Sequence, residues 1–280
     1  MAQITAAQVK ALRDETGLPM MECKAALTEA GGDKDQAVEL LTKKHKGKME
    51  ARSDRETGEG RIAVYINEDA TIGGIIEFRC ESAPVAKNEL FTGLADKIAR
   101  QVAEQSEQNA DPEVILGSTL ADEPGKTISD LVTEVYGKLR ETMKLIACRR
   151  VTGNYLTSYI HHDGKTGVLI ALDAKPSDDN TAVDLCHHVA FSKPLAITRE
   201  SIPAETVEKV RRQARDIAEG EGKPANIIDK IVEGKVNAFY ADHSLMEQEH
   251  VKVSKTKVQK VLQDAGVKEV TDLALLQVGA

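Results

Sequence analysis

Residues 65–78 read YINEDATIGGIIEF and residues 159–172 read YIHHDGKTGVLIAL, so the chain contains two copies of one pattern at an offset of 94 residues. Five of the fourteen aligned positions are identical, and the apolar positions largely coincide. Each copy has two strand-like stretches around a polar turn, Glu68-Asp69 in the first and Asp163-Gly164 in the second, which is typical of a β-hairpin. The duplication therefore predicts two related hairpins, and these decide the fold class.

A helical pattern follows each predicted hairpin, and a longer one lies between the copies. Apolar residues recur at helical spacing at Leu90, Leu94, Ile98 and Val102, and again at Val183, Leu185, Val189 and Ala190. The helix between the copies is predicted to carry Ile128, Leu131, Val135, Leu139 and Ile146 on one stripe. Small antiparallel sheets backed by helices form an α+β fold. We predict core subdomain N over 61–148 and core subdomain C over 149–200 and 241–280, with a last strand around 270–278.

The first 45 residues have the signals of three short helices. Thr5 and Gln8 form the pattern of a capping box, Gly17 ends the first helix, and Pro19 begins the second. So small a helical bundle is marginally stable alone, which suits docking better than catalysis. We predict a three-helix docking module over 1–45.

The following stretch, TKKHKGKMEARSDRETGEG at 42–60, contains almost nothing that a core would bury. It predicts a solvated linker, assigned to 46–60. Its basic run at 43–48 leaves contact with RNA open as the less favoured interpretation.

A coiled-coil pattern interrupts the second predicted subdomain. Three-four spacing is present at Val207, Val210, Ala214 and Ile217. A turn, GEGKP at 220–224, precedes a second apolar series at Ile227, Ile228, Ile231 and Val232. Two helices joined by so short a turn lie antiparallel. We predict a projecting helical hairpin over 201–240.

Composition narrows the classes of function. The 280 residues include 37 Lys and Arg against 45 Asp and Glu, a net charge of −8, and no Trp. Direct nucleic-acid binding is not expected, because it favours a basic surface with aromatic platforms. No stretch reaches the roughly 18 apolar residues of a membrane helix, and MAQITAAQVK lacks the layout of a signal peptide. Four widely spaced cysteines favour reduced thiols in a cytoplasmic protein over disulfides.

Sequence patterns of catalytic chemistry are incomplete. Gly125-Lys126-Thr127 and Gly164-Lys165-Thr166 resemble the end of a phosphate-binding loop, but both lack the earlier glycine of that motif. The densest metal-like cluster is Cys186-His187-His188, with His161-His162 elsewhere. Neighbouring side chains on a helix point about 100° apart and do not close one tetrahedral site. We expect a buried Cys186 beside surface histidines, no metal, no cofactor and no enzymatic activity, hence a binding protein.

Three longer motifs carry a resemblance to a known family. They are VKALRDETGLPMMECKAALTEAGGDKDQAVELL at 9–41, AFSKPLAITRESIPAE at 190–205 and EGKPANIIDKIVEGKVNAFYADHSLMEQ at 221–248. With the two hairpin subdomains they resemble bacterial elongation factor Ts over nearly the whole chain. The first motif looks like that family's ubiquitin-associated-like three-helix domain. The resemblance implies binding to elongation factor Tu, GDP-bound and nucleotide-free, and exchange of GDP for GTP, with the factor staying bound until GTP binds.

The resemblance also implies contacts with the partner at four residues. Leu12, Met20 and Met21 match the family's contact with the nucleotide-binding domain of elongation factor Tu. His161, in the sequence Ser-Tyr-Ile-His, matches a histidine that approaches the partner's third domain. Two alternatives stay open: both methionines as core residues, and His161 as a hairpin-tip residue in water. The helical hairpin resembles the family's dimerisation arm, which implies a homodimer, with an arm that packs only on itself as the alternative.

One stretch departs from the family. Its signature after the second strand is Cys-Gln/Glu-Thr-Asp-Phe-Val-Ala-Lys, and residues 80–87 here read CESAPVAK. In the family the Asp and Phe intrude near the partner's Mg²⁺ and phosphate region. The matching, degenerate region here is Ser82, Ala83, Pro84 and Val85. Ala83 has no acceptor, and Pro84 is smaller than Phe and fixes φ.

This departure keeps more than one function open. The expected function is nucleotide exchange. The family's Asp and Phe form a wedge that helps to displace the partner's Mg²⁺, and the matching residues here are expected to do so more weakly. The alternative is a divergent paralogue that binds or stabilises elongation factor Tu with weak or no exchange. An RNA-binding accessory protein, which depends only on the basic run at 43–48, is the third hypothesis.

Overall fold

The computed structural model describes residues 4–105, 111–120 and 123–280, and the elements named below lie within them. The helices are α1 (Ala6–Thr16), α2 (Met20–Glu29), α3 (Lys34–Glu50), α4 (Ala83–Ala86), α5 (Glu89–Gln105), α6 (Pro112–Gly117), α7 (Ile128–Leu139), α8 (Asp179–Ser192), α9 (Ala204–Gly220), α10 (Ala225–His243) and α11 (Val258–Asp264). The strands are β1 (Glu59–Ile66), β2 (Ile72–Cys80), β3 (Lys144–Thr152), β4 (Tyr155–Ile160), β5 (Thr166–Leu172) and β6 (Val270–Gln277). Helices combined with antiparallel sheets confirm the predicted α+β class.

Both predicted hairpins are present. β1 pairs antiparallel with β2, and β4 pairs antiparallel with β5. The first turn closes through the side chain of Asn67, which accepts the backbone amides of Thr71 and Ile72. In the second turn the amide of Gly164 donates to the carbonyl of His161. β3 adds to β2 and β6 adds to β5, so each hairpin becomes a three-stranded sheet.

The two sheets meet through reciprocal hydrogen bonds that follow the offset of the repeat. The amide of Ile62 donates to the carbonyl of Gly164 at 2.8 Å, and the amide of Leu156 donates to the carbonyl of Ala70 at 2.7 Å. Leu156 is the counterpart of Ile62 at the 94-residue offset, and Gly164 is the counterpart of Ala70. The two copies therefore contact each other as equivalent units, as subunits do in a symmetric dimer.

A glycine shared by the two copies lies at the same contact. A Cβ at Gly167 would lie 3.0 Å from the Cβ of Ile62, and a Cβ at Gly73 would lie 2.9 Å from Cδ2 of Leu156. Gly73 and Gly167 are counterparts in the repeat and are identical in both copies. A strand glycine often marks a close approach of another element. The repeat therefore keeps glycine where the sheets leave no room for a side chain.

The structure corrects the prediction for the region between the copies. The helical stripe ends with α7 at Leu139, and Ile146 lies in β3 instead. β3 pairs with β2 along its length. The predicted boundary at 148/149 therefore falls inside a strand of the first sheet. The strand was missed because its partner, β2, is distant in sequence.

A separate apolar core lies behind each sheet. α5 and α7 cover the first sheet, where the rings of Phe78 and Phe91 stack with centroids 4.7 Å apart. α8 and α11 cover the second, with Leu185 and Val189 of α8 buried against β5. The predicted helices after each hairpin, and the predicted last strand, are confirmed.

The three predicted N-terminal helices are present and share a small apolar core. The Thr5 hydroxyl accepts the amide of Gln8, and the Gln8 side chain accepts the amide of Thr5, which completes the predicted capping box. Gly17 ends α1 at φ 68°, a left-handed conformation that suits glycine. The capping box and the glycine were therefore sufficient to predict where α1 begins and ends.

The predicted linker is partly helical. α3 continues to Glu50 and packs on α7, so the segment 46–60 begins as a helix and the basic run at 43–48 lies on it. The physical reason is His45, which is buried and hydrogen-bonded to Glu22. His45 is polar, and it is buried because its hydrogen-bonding partner, Glu22, lies on another helix, α2.

α9 and α10 form the predicted helical hairpin. The residues buried between them are Val207, Ala214, Ala218, Val232 and Val236. The prediction that Ile217 belongs to this contact is wrong, because Ala218 takes the inner position and Ile217 is 61% exposed. Arg215 of α9 pairs with Asp229 of α10 at 2.8 Å and links the two helices at the surface.

Candidate partner-binding surface

Residues Ser82–Val85 form a surface segment directly after β2. Ala83 and Pro84 are exposed, while Val85 packs partly against the first core. Pro84 lies in the first turn of α4, where a proline leaves no hydrogen bond unmade. The amide and the hydroxyl of Ser82 donate to Glu141 at 3.0 and 2.6 Å. Ser82 therefore fixes the segment, which presents a methyl group and a pyrrolidine ring to solvent.

Glu81 anchors the same segment. Its carboxylate accepts the backbone amide of Thr142 at 2.7 Å and the guanidinium of Arg55 at 3.0 Å. Burial raises the pKa of Glu81, but the donors outweigh this effect and lower the pKa to about 2. Glu81 is therefore ionised, and it acts as a fixed acceptor behind α4.

A groove of about 660 Å³ lies between α4 and the turn of the second hairpin. Ala83 lines it from α4, residues 160–165 line it from the turn, and Gly60 of β1 completes it. The sequence places Ser82–Val85 and His161 in different copies of the repeat. The structure brings Ala83 of this segment and His161 together at one groove, whereas Ser82, Pro84 and Val85 do not line it.

His161 is half-buried and hydrogen-bonded. Its Nδ1 lies 2.8 Å from the hydroxyl of Tyr159, and its ring lies 4.2 Å from that of His162, centroid to centroid. The ring of Tyr159 also meets His187 edge-on, with centroids 4.4 Å apart. His161 therefore contacts neighbouring rings at the start of the second hairpin's turn. This differs from the alternative interpretation, in which it is a hairpin-tip residue in water.

Phe191 is an exposed apolar residue that the sequence interpretation missed. It is 80% exposed at the end of α8, and it shares a second groove with Tyr159 and His161. Leu195, 58% exposed, follows three residues after α8 ends. The available signal was periodicity: the buried stripe of α8 includes Val189, and a residue two positions further points away from that stripe.

The methionines of the N-terminal module lie on its surface, and Leu12 does not. Met20 is 51% exposed and Met21 is 72% exposed at the start of α2. The alternative that both are core residues is therefore excluded. Leu12 is fully buried in the module core, so its side chain supports the module from inside. Exposed methionines offer flexible, polarisable contacts to a partner.

The residues of the metal-like cluster point to different partners. The thiol of Cys186 contacts the hydroxyl of Thr157, and burial raises the pKa of this thiol to about 12. His188 is buried with its Nε2 2.9 Å from the side-chain oxygen of Gln248. The expectation of surface histidines was therefore wrong for His188, because α8 turns it toward the second core. Within 4–105, 111–120 and 123–280, no group of His, Cys, Asp and Glu is placed to hold a metal ion.

Exposed methionines, an exposed Phe191 and an open groove indicate a protein that binds another macromolecule by surface contacts. None of the helices in the described part of the chain is long and apolar enough to cross a bilayer.

Comparison with known proteins gives the family. The family model described as Elongation factor TS matches residues 81–280. The chain is 41% identical to elongation factor Ts of Aquifex aeolicus over 266 residues, which is 92% of each chain. It is 38% identical to elongation factor Ts of Chlorobium phaeobacteroides, over 94% of this chain and 93% of that protein. It is also 38% identical to that of Kineococcus radiotolerans over the full length of both. The chain belongs to the elongation factor Ts family.

Proposed function

We propose that this chain is a guanine-nucleotide exchange factor of the cytoplasm that acts on elongation factor Tu. It binds the partner with GDP, promotes release of GDP and stays bound until GTP enters. The observation that carries the proposal is the groove, in which the family's wedge position, Ala83, and His161 line the same space. The exposed Met20–Met21 surface supports a second contact with the same partner.

Exchange of this kind needs no covalent chemistry. A factor that binds the nucleotide-free partner more tightly than the GDP-bound partner weakens GDP binding by the same ratio. A 100-fold ratio corresponds to about 2.7 kcal/mol of coupling free energy. The factor must therefore make contacts with the nucleotide-free partner that GDP opposes.

Ala83 and Pro84, at the family's wedge position, limit the part of this coupling that would come from contacts near the partner's Mg²⁺. Ala83 offers no carboxylate, and Pro84 offers no aromatic ring. Both are exposed and contact a partner by shape alone. We propose that exchange depends mainly on Met20, Met21 and the second groove, which His161 and Phe191 line, with a weaker effect near the partner's Mg²⁺.

Release of a fluorescent GDP analogue from elongation factor Tu of the same organism tests the proposal. The release rate should rise with the concentration of this chain and reach a plateau. The paired change Met20→Ser and Met21→Ser should require about tenfold more of the chain, because both side chains are exposed and carry contact area. Val253→Ser, at a position 42% exposed in the loop before α11, is the control and should leave the rate unchanged. An unchanged release rate at saturating wild-type chain would contradict the proposal.

A second candidate function is binding or stabilisation of elongation factor Tu without exchange. The observation that favours it is the pair Ala83 and Pro84 at the wedge position. Calorimetry combined with the release assay separates the two candidates. Tight binding without faster GDP release would support the second.

The hairpin of α9 and α10 supports a proposal about assembly. Ile217 is 61% exposed and Ile227 is 37% exposed near its turn, and a homodimer would cover such residues. Sedimentation over a range of concentrations tests this, and Ile217→Ser should shift the distribution toward monomer. A monomer at every concentration favours an arm that packs only on itself.

A further inference from the structure

The turn after α7 contains a residue in an uncommon backbone conformation. Arg140 ends α7 at φ +62°, in the left-handed region that favours glycine. In the described residues only three other non-glycine residues, Ala70, Lys193 and Lys255, have a positive φ. Such a residue persists where surrounding contacts hold it, and it points to a role for its side chain or backbone.

The side chain of Arg140 reaches the N-terminal module. Its guanidinium donates to the Glu22 carboxylate at 2.8 Å, and Nε2 of His45 lies 2.9 Å from the same oxygen. Burial raises the pKa of Glu22, but the bonds from Arg140 and His45 outweigh it and lower the pKa to about 2. Glu22 is therefore an ionised acceptor. It directly follows Met20 and Met21 in the chain.

His45 completes this contact from α3. Burial lowers its pKa, so the ring is neutral at neutral pH. Because an ionised Glu22 only accepts, the neutral ring must donate its Nε2–H. Gly137 of α7 makes room for the ring, since a Cβ there would lie 2.7 Å from Nδ1 of His45.

Polar contacts are prominent where the module meets α7. A cavity of about 190 Å³ lies at this interface, lined by residues that include Leu18, His45 and Lys138. Apolar packing there is incomplete, so it fixes the orientation of the module weakly. Charge-assisted hydrogen bonds have a defined direction and fix it more strongly.

The same turn also holds the segment Ser82–Val85. The carbonyl of Arg140 accepts the guanidinium of Arg52, which follows α3, at 3.1 Å. Glu141 accepts both the amide and the hydroxyl of Ser82, and the amide of Thr142 donates to Glu81. Residues 140–142 thus contact the docking module on one side and the base of α4 on the other.

We propose that residues 140–142, with Glu22 and His45, form a brace that holds the Met20–Met21 surface and α4 in one fixed arrangement. The inference rests on the proposed function, because it supposes that one partner meets both surfaces. Two surfaces held at the right distance act as one bivalent ligand with a high effective concentration. Arg140 is a positioning residue, which does not touch the partner. Without it, the module would become ordered only on binding, and the lost conformational entropy would weaken the affinity for the partner.

The variant Arg140→Gly tests the brace in the full-length chain. It removes the guanidinium and also relieves the left-handed conformation, so the midpoint of thermal unfolding should stay within a few degrees of wild type. The chain concentration for half-maximal GDP release should rise about tenfold, with the maximal rate changed less than about twofold. Lys255→Gly is the matched control, because it also replaces a cation at a similar φ, +58°, and Lys255 is exposed and lies outside the brace. It should leave both quantities unchanged.

A second variant changes the acceptor of the same hydrogen bond, Glu22. Glu22→Gln should raise the half-maximal concentration as Arg140→Gly does, and the double variant should be no worse than either single one. Arg140→Lys keeps a donor cation and should recover part of the loss. If wild type accelerates release and both single variants match the Lys255→Gly control, the brace is wrong and the proposed function stands. If wild type neither binds elongation factor Tu nor accelerates release, the proposed function fails and the brace fails with it.

Discussion

The two copies of the repeat share a fold and differ in what they present at the surface. Gly73 and Gly167, identical in both copies, lie where the two sheets contact each other. After the first copy the chain presents α4 with Ala83, whereas the second copy presents His161 in its turn and Phe191 at the end of its helix. The shared glycine therefore marks packing between the copies. Divergence marks the surface that we assign to a partner.

Gly167→Ala should have the largest effect, because it breaks the contact between the copies. The new methyl would press on the Cβ of Ile62, which β1 holds in place, and we expect a loss of about 3 kcal/mol in the free energy of unfolding. Gly73→Ala should cost about 1 kcal/mol, since it meets the flexible ends of Leu156 and Leu169. Urea denaturation measures both.

Gly93→Ala is the control for these two changes. Gly93 is exposed in α5 with no atom within 4 Å of an added Cβ, so the change should stabilise by about 0.5–1 kcal/mol. Equal losses of stability at Gly167 and Gly73 would contradict the expected difference, because they would mean that Ile62 moves aside as easily as Leu156 and Leu169.

Paired carboxylates and buried histidines should lose their stabilisation in different pH ranges. The pKa values of Glu22 and Glu81 are about 2, against 4.5 ordinarily, so their stabilisation is complete above pH 4.5 and is lost as pH falls toward 2. Burial lowers the pKa of the stacked pair His188 and His250, and that of His45, below 6.5. Their neutral forms are favoured in the folded state, so stability is lost as pH falls below 6.5.

Free energies of unfolding from pH 7.5 to 3 measure both effects. We expect a loss between pH 7 and 5.5, and a further loss of about 2 kcal/mol between pH 5 and 3. His250→Phe should reduce the loss in the first range, and the pair Glu22→Gln and Glu81→Gln should reduce the loss in the second. A variant that flattens the other range would contradict this assignment.

Phe191→Ala tests the surface of the second half. An exposed aromatic anchor typically contributes about 1.4 kcal/mol or more, so the affinity for elongation factor Tu should fall about tenfold. Val114→Ala, at a position 66% exposed in α6 and outside both grooves, should leave the affinity unchanged. Titration calorimetry measures both, and equal affinities for the two variants would remove Phe191 from the binding surface.

The paired change Ala83→Asp and Pro84→Phe tests the surface of the first half and has the smallest expected effect. It restores the family's residues on α4, where both positions are exposed and tolerate larger side chains. The maximal rate of GDP release should rise about threefold, which is about 0.6 kcal/mol at the transition state. Ala83→Ser with Pro84→Ala is the control. A slower release than wild type would mean that this chain uses α4 differently from its family.

Sequence signals were sufficient wherever the causes are local. The capping box of Thr5 and Gln8 is made by residues three apart, and it was predicted and is present. The hairpins were predicted because each consists of neighbouring strands and a turn. The offset of 94 residues also indicated two equivalent units, although not the reciprocal contact at Gly73 and Gly167.

The remaining features depend on contacts between distant residues. β3 pairs with a strand that lies more than 60 residues earlier, so local spacing alone predicts a helical position for Ile146, which is wrong. His45 is buried because Glu22 and Gly137 meet it from other helices. The groove joins Ala83 to residues of the other copy, and no local pattern of either segment indicates that proximity.

The most direct test of the central claim is the affinity of elongation factor Tu for GDP, measured with and without saturating amounts of this chain. The chain should weaken GDP binding at least tenfold, and GDP should weaken binding of the chain by the same ratio. A GDP affinity that stays the same while the chain is bound would contradict the claim and leave a binding protein without exchange.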